Sequence, residues 1–191
     1  MNHSPYPVVL DACVIYPNRL RDLLMRLGLS GLYQPKWTAV IHNEWQRNLV
    51  ANAPEISREK VKQVEALMNK ALPDALVTGF EPLIAGLVLP DPDDRHVVAA
   101  AIRCNAEVIV TFNMKDFPAE NLSGLNIEAM HPDEFIADLI DLNQALVLKA
   151  VHAQRASLKI PPASAEEYLA SLLQLGLTMT VKALEGYRFM I

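Results

Sequence analysis

Asp11, Glu44, the trio Asp91, Asp93 and Asp94, and Asp116 are the side chains of this sequence whose types and placement could do chemistry together. Asp11 ends the apolar run Pro7-Val-Val-Leu-Asp11. The trio crowds into the turn Leu87-Val-Leu-Pro-Asp-Pro-Asp-Asp94, and Asp116 follows the β-branched run Glu107-Val-Ile-Val-Thr111. Glu44 sits between Ile41 and Trp45, residues expected to face a core, so it is expected to point toward that core's edge. Carboxylates brought together repel one another and resist ionisation, so such a group calls for a cation. Oxygen-only ligation suits Mg²⁺ or Mn²⁺. Ions of that kind orient a phosphodiester for in-line attack, which is the chemistry of many nucleases. Taken singly, each acid would serve equally well as a turn former or a helix cap. The functional case rests on convergence.

Convergence depends on the elements that carry these residues. The run at 7–11 reads as a buried strand, 107–111 as a second and 126–130 as one more. Residues 77–80 allow a short strand or a loop. Leucines 20, 23, 24 and 27 repeat at helical spacing and predict a helix over 19–29. Further helices fit 38–50, 57–72 with Ser57 as N-cap and Pro73 as stop, and 97–102 with Asp93 or Asp94 as N-cap. Strands alternating with helices predict an α/β fold with a parallel sheet and right-handed crossovers. Ligands bind such sheets outside the carboxyl ends of the strands, where Asp11, the Asp91–94 turn and Asp116 would meet. From residue 131 onward strand signals cease. One long amphipathic helix opens at Pro132, Pro161-Pro162 breaks it, and Ser164-Ala-Glu-Glu167 is a capping box opening another. The expected division is therefore 1–130 and a helical extension at 131–191.

Composition narrows the class further. With 51% hydrophobic and 20% charged residues the chain can build a core, which excludes disorder over its whole length. No apolar run approaches the ~18–20 residues of a membrane span, and Met-Asn-His-Ser-Pro lacks an export signal, so a cytoplasmic protein is expected. Cys13 and Cys104 are too few and too far apart for a disulfide framework or a zinc ribbon. None of the glycines form a phosphate-binding loop, which argues against a nucleotide cofactor. The net charge of −5 hides an uneven distribution. Residues 63–146 carry fourteen acids and four Lys/Arg, whereas residues 1–62 carry eight Lys/Arg and five acids.

Val8-Val-Leu-Asp-Ala-Cys-Val-Ile15, a helical Glu44, Asp94-Arg-His-Val-Val-Ala-Ala-Ala101 and Ile109-Val-Thr-Phe-Asn-Met-Lys-Asp-Phe117 together resemble the PIN-domain family in order and spacing. The resemblance spans about residues 7–130 and implies a three-layer α/β/α nuclease with a central parallel sheet. The Arg21-Asp22-Leu-Leu24 stretch and residues 131–191 resemble a longer, VapC-like subgroup of toxin ribonucleases with a C-terminal helical extension. It implies an endoribonuclease using Mg²⁺ or Mn²⁺, an RNA substrate, a cognate antitoxin protein and a homodimer. Carried over residue by residue, Asp11, Glu44 and Asp94 would be catalytic acids, with Asp11, Asp94 and Asp116 binding metal. The family places an acid two residues after the threonine, where this chain has Asn113. Asp116 is taken for the fourth acid, with Asn113 assisting, Asp93 supporting and Thr111 orienting a neighbouring carboxylate. Cys13 stands where a small polar residue is commoner, with an effect expected on packing only.

Other chemistries fit less well. His42-Asn-Glu44 is half of a zinc deaminase signature whose cysteine half is missing. His96, beside the acids, reads as a surface or supporting residue. Cys13 reads as buried core rather than a nucleophile. Asp11-Ala-Cys13 lacks the second acid of haloacid-dehalogenase-like phosphatases. The strongest competitor is a PIN-like module that binds RNA or protein without cleaving, and Asn113 is its support. For RNA, Arg19, Arg21, Arg26, Lys36 and Arg47 are expected to grip phosphates beside the acids.

Overall fold

The computed structural model describes residues 5–191, so part of the expected leaderless N-terminus lies outside the described residues. Strand β1 (Pro7–Leu10) lies at the centre of a four-stranded parallel sheet in the order β2-β1-β3-β4, with β2 at Gln34–Lys36, β3 at Val108–Val110 and β4 at Glu128–Met130. Val8, Val9, Ile109 and Val110 are fully buried, which is why these apolar runs show no in-out alternation. The strand at 34–36 escaped the sequence reading. It is three residues long with Pro35 at its centre, and only an edge position tolerates a residue that has no N–H to donate. Residues 77–80 form no strand: Val77 donates to the Trp37 carbonyl, and Leu76 makes an isolated bridge with Trp37.

The connections set the layers. From β1 the chain runs through α1 (Ala12–Ile15) and α2 (Asn18–Leu29) to β2 on one side. It then passes through α3 (Ala39–Asn52), α4 (Arg58–Ala71), α5 (Glu81–Ile84) and α6 (Arg95–Cys104) to β3 on the other side of β1. Right-handed crossovers that step in opposite directions lay their helices on opposite faces, which makes the three-layer α/β/α arrangement. The strand order reverses between β1 and β3, which run parallel. Thr38 and Ser57 cap α3 and α4 through their hydroxyls, as the helix starts at these positions require. Short α7 (Ala119–Leu122) leads into β4.

Helix α8 (Pro132–Ser157) is followed by α9 (Ala165–Leu173) and α10 (Thr178–Leu184). The expected single long helix is in fact two segments. Asn143, at φ −157° and ψ 82°, leaves the helical region, and its side-chain oxygen accepts from the Leu146 N–H as a cap for the second segment. The capping box at Ser164 and Glu167 is present as read. Buried Asp133 accepts from the N–H groups of Met179 and Thr180, each at 2.8 Å, and so pins the start of α10 to the start of α8. Buried Gln154 donates to the Arg19 carbonyl and to Asp22 on α2 and accepts from the Tyr168 hydroxyl. The helical extension is thereby joined to the sheet-bearing region through buried polar contacts. Among the described residues no helix is long and apolar enough to cross a membrane.

Candidate active site

A sheet whose strand order reverses leaves a crevice at the carboxyl ends of the two strands flanking the reversal, because their outgoing loops depart in opposite directions. Here those strands are β1 and β3, and the residues that leave them are Asp11 and Thr111. Asp11 is 6% exposed and anchored from several sides. Its backbone N–H donates to the Val110 carbonyl at 3.1 Å. One carboxylate oxygen accepts from the Ala12 N–H at 2.6 Å and caps the short helix α1; the other accepts from the Thr111 hydroxyl at 2.7 Å. Thr111 is fully buried, and its oxygen in turn accepts from the Asn113 N–H at 2.9 Å. The expected orienting role of Thr111 thus has a partner with a stated geometry, Asp11.

Cys13 completes this knot. Its Sγ donates to Asp11 at 3.0 Å, lies 3.3 Å from the Thr111 hydroxyl and accepts from the Phe112 N–H at 3.2 Å. Burial, and then the charge of Asp11, push the thiol up to about 12, so it stays protonated and acts as a donor. A purely packing role is therefore corrected. The position two residues after a strand-end aspartate was the available signal.

Asp94 occupies the residue before α6 and makes no capping bond with its side chain; Asp91 instead accepts from the Asp93 N–H at 2.9 Å. Asp94 is the N-cap residue the sequence suggested, by position, although its side chain makes no capping bond. Freed from capping, the Asp94 carboxyl is pushed up to about 7, first by burial and then by the charges of Asp11, Asp91, Asp116 and Glu44. That perturbation reports which acids stand close enough to be felt. Asp11, Glu44 and Asp116, all singled out in the sequence, are among them. Asp93 is exposed and is not, whereas Asp91 takes its place. Asn113 is exposed beside Thr111, and Asp116 ends a 3-10 turn at Met114–Asp116. Glu44 meets His96, which the sequence left as a surface or supporting residue: it is 6% exposed and puts Nε2 3.0 Å from a Glu44 oxygen, a supporting place.

Oxygen donors crowded enough to hold one carboxyl near neutrality suit a hard divalent cation. Among the described residues no three His, Cys, Asp or Glu side chains are arranged to share one ion as they stand. Asp11 could take part without giving up its bonds, because each carboxylate oxygen carries a second lone pair.

The basic residues fall differently from expectation. Arg19 lies over the Tyr168 ring at 5.8 Å, facing the extension. Arg21 donates to the Ile15 carbonyl at 2.8 Å and stacks 4.9 Å above Trp45. Arg26 pairs with Asp22 at 2.9 Å. Lys36 donates to the Asp74 carbonyl and acts on Cys104, at the opposite end of α6 from Asp94. Each of these four makes a contact within the fold. Arg47 alone of the five lines a groove with Glu44, a cleft of about 580 Å³ between α3 and α4 that also carries Arg58 and Lys62.

Comparison with known proteins adds two family matches and one relative. Residues 7–115 match the model described as PIN domain, and residues 132–186 match that of the VapC50 C-terminal domain. A Mycobacterium tuberculosis protein, named VapC50 and described as a candidate ribonuclease, is 44% identical over 86 residues, covering 43% of this chain and 50% of that protein. The matched stretch thus spans half the length of that relative. No solved structure matches the chain.

Proposed function

The chain belongs to the PIN-domain family, and on that premise we propose that it is a metal-dependent endoribonuclease that hydrolyses RNA phosphodiester bonds as the toxin of a VapBC-type pair. One observation carries the reading: Asp94 is pushed up to about 7 by its own burial and by four other carboxylates at the carboxyl edge of the sheet. Clustering of that kind costs stability in an apoprotein and makes sense where a cation is bound. Asp11, Asp94 and Asp116 would hold Mg²⁺ or Mn²⁺, with Asn113 as a neutral helper. Such a cation would supply Lewis acidity toward the phosphate and lower the pKa of water. Glu44, on α3, would take the proton of the attacking water, and Thr111 and Cys13 hold the Asp11 carboxylate through hydrogen bonds.

We propose further that 1–130 is the nuclease unit and 131–191 an extension, that an antitoxin protein is the partner, that two copies pair, and that the protein works in the cytoplasm. RNA would run along the groove of Arg47, Arg58 and Lys62 into the acids, the electropositive surface compensating for the acidic total.

Cleavage of a mixed RNA pool tests the reading directly. Wild type should cleave in Mg²⁺ or Mn²⁺ and stop in EDTA, and Asp94→Asn should lose on the order of a hundredfold or more in rate, as loss of a metal-holding group does. The second reading, a binding module without cleavage, has Asn113 in its favour, since a neutral amide stands where the family places an acid. Well-folded wild type that neither cleaves RNA nor binds either cation would select it.

A further inference from the structure

We propose that His96 is a positioning residue for Glu44: its imidazole holds the glutamate carboxylate at the acid cluster, from the buried side, through one hydrogen bond. The catalytic consequence rests on the nuclease reading, whereas the contact itself does not. Glu44 projects from the middle of α3 and His96 from the first turn of α6, and the 3.0 Å bond bridges 52 residues of sequence. The two partners are unequally buried. The His96 side chain is 8% exposed and that of Glu44 26%, so the imidazole approaches from within and leaves the second carboxylate oxygen on the open side.

A clamp is needed here for a physical reason. Glutamate has three rotatable bonds, and its charge is repelled by Asp94, so the unconstrained side chain would swing into water. Holding a rotamer-rich side chain costs conformational entropy that a directed bond must offset. His96 supplies that bond and little else. Its other ring nitrogen, Nδ1, is buried without a hydrogen-bond partner, so nothing else polar fixes the ring. A carboxylate only accepts, so the bond requires the hydrogen on Nε2. The bare Nδ1 is the cheaper of two arrangements, because a buried N–H left unpaired loses its full hydration. The ring is thus read as the Nε2–H tautomer.

Two substitutions in the full chain separate positioning from packing. His96→Leu keeps the volume and removes the donor; His96→Gln puts an amide N–H close to where Nε2 lies. In steady-state RNA cleavage with Mg²⁺, His96→Leu should lower kcat about tenfold or more with KM little changed, as expected when a reacting group is misplaced. His96→Gln should recover to within about threefold of wild type, and His96→Leu added to Glu44→Gln should cost nothing further. The readout independent of activity is the ¹⁵N NMR spectrum of the His96 ring in metal-free buffer. A protonated Nε2 and a shift of Nε2 in Glu44→Gln are expected. An Nε2 without hydrogen, or an Nε2 resonance blind to Glu44→Gln, would overturn the contact. A folded His96→Leu with wild-type kcat, or a loss that multiplies with that of Glu44→Gln, would overturn its part in catalysis. Wild type without cleavage, alongside the expected ring spectrum, would sink the nuclease reading and with it that part, while supporting the clamp.

Discussion

At the scale of single residues the acid cluster makes a prediction about pH. Asp94 carries its proton to about pH 7 in the folded chain, against 3.8 for an ordinary aspartate in the unfolded one. The protonated form is therefore the one the fold prefers. Its contribution to stability is complete below the unfolded value and is lost as pH rises through the folded one. The thermal midpoint of the metal-free protein should accordingly fall between about pH 5 and pH 8, and the fall should be shallower in Asp94→Asn. Excess Mg²⁺ should restore the midpoint at the alkaline end, since an ion bound only by the native state stabilises it by mass action. Thermal melts in chelator and in Mg²⁺ across that range measure both effects; a midpoint that rises with pH in chelator would contradict the assignment. The acids themselves were legible from position, since a strand-end aspartate and acids in turns are visible in a single sequence. Their supports were legible only in part: Thr111 was expected to orient a carboxylate and His96 to be a surface or supporting residue, with no partner named for either. His96 faces Glu44 across 52 residues, and Cys13 and Thr111 meet at Asp11 across the sheet, relations that tertiary packing alone creates.

Among the elements, β2 shows where pattern reading stops. Strands β1, β3 and β4 announce themselves through apolar or β-branched runs, and α4 through Ser57 and its spacing, because in each case the local residues pay their own way. Gln34-Pro35-Lys36 has no such preference, and pairing with β1 makes it a strand. That pairing brings Pro35 against α2 at Gly28, where a Cβ would collide with the proline ring. Gly28 is thus required by close approach of helix to strand. Gly28→Ala should destabilise by about 1–3 kcal/mol through overpacking, in spite of the better helix propensity of alanine. Chemical denaturation measures it, and a stabilised variant would show that the helix can move away. The break in α8 was hidden for a related reason. Asn143 lies within a helical apolar pattern, and its cap bond to Leu146 is visible only once both segments have found their neighbours.

Across the whole molecule, the buried bonds of Gln154 to Arg19, Asp22 and Tyr168 tie the extension to α2. The chain should therefore melt in one transition despite its two family matches. Gln154→Leu should lower that single transition by about 1–3 kcal/mol through the buried partners it strands. Two resolved calorimetric transitions in wild type would show instead that the two parts unfold separately. Long-range electrostatics act at this scale too. If RNA lies along the groove of Arg47, Arg58 and Lys62, neutralising any one of them should reduce the slope of log affinity against log salt by about 0.7 for a single strand. Arg19 and Lys36 variants should leave the slope alone, and a salt-insensitive interaction would remove the groove from the picture. The reversal of strand order between β1 and β3 also sets when the acids can meet. The hydrogen bond from Thr111 to Asp11 joins residues 100 positions apart, and the acids felt by Asp94 come from both sides of that seam. A chain whose synthesis has stopped short of Asp91 holds Asp11 and Glu44 with nothing to face them, and a proteolytic fragment from either half is equally empty. On the nuclease reading, cleavage would arrive all at once, with the finished sheet, and half-made or broken copies would be idle.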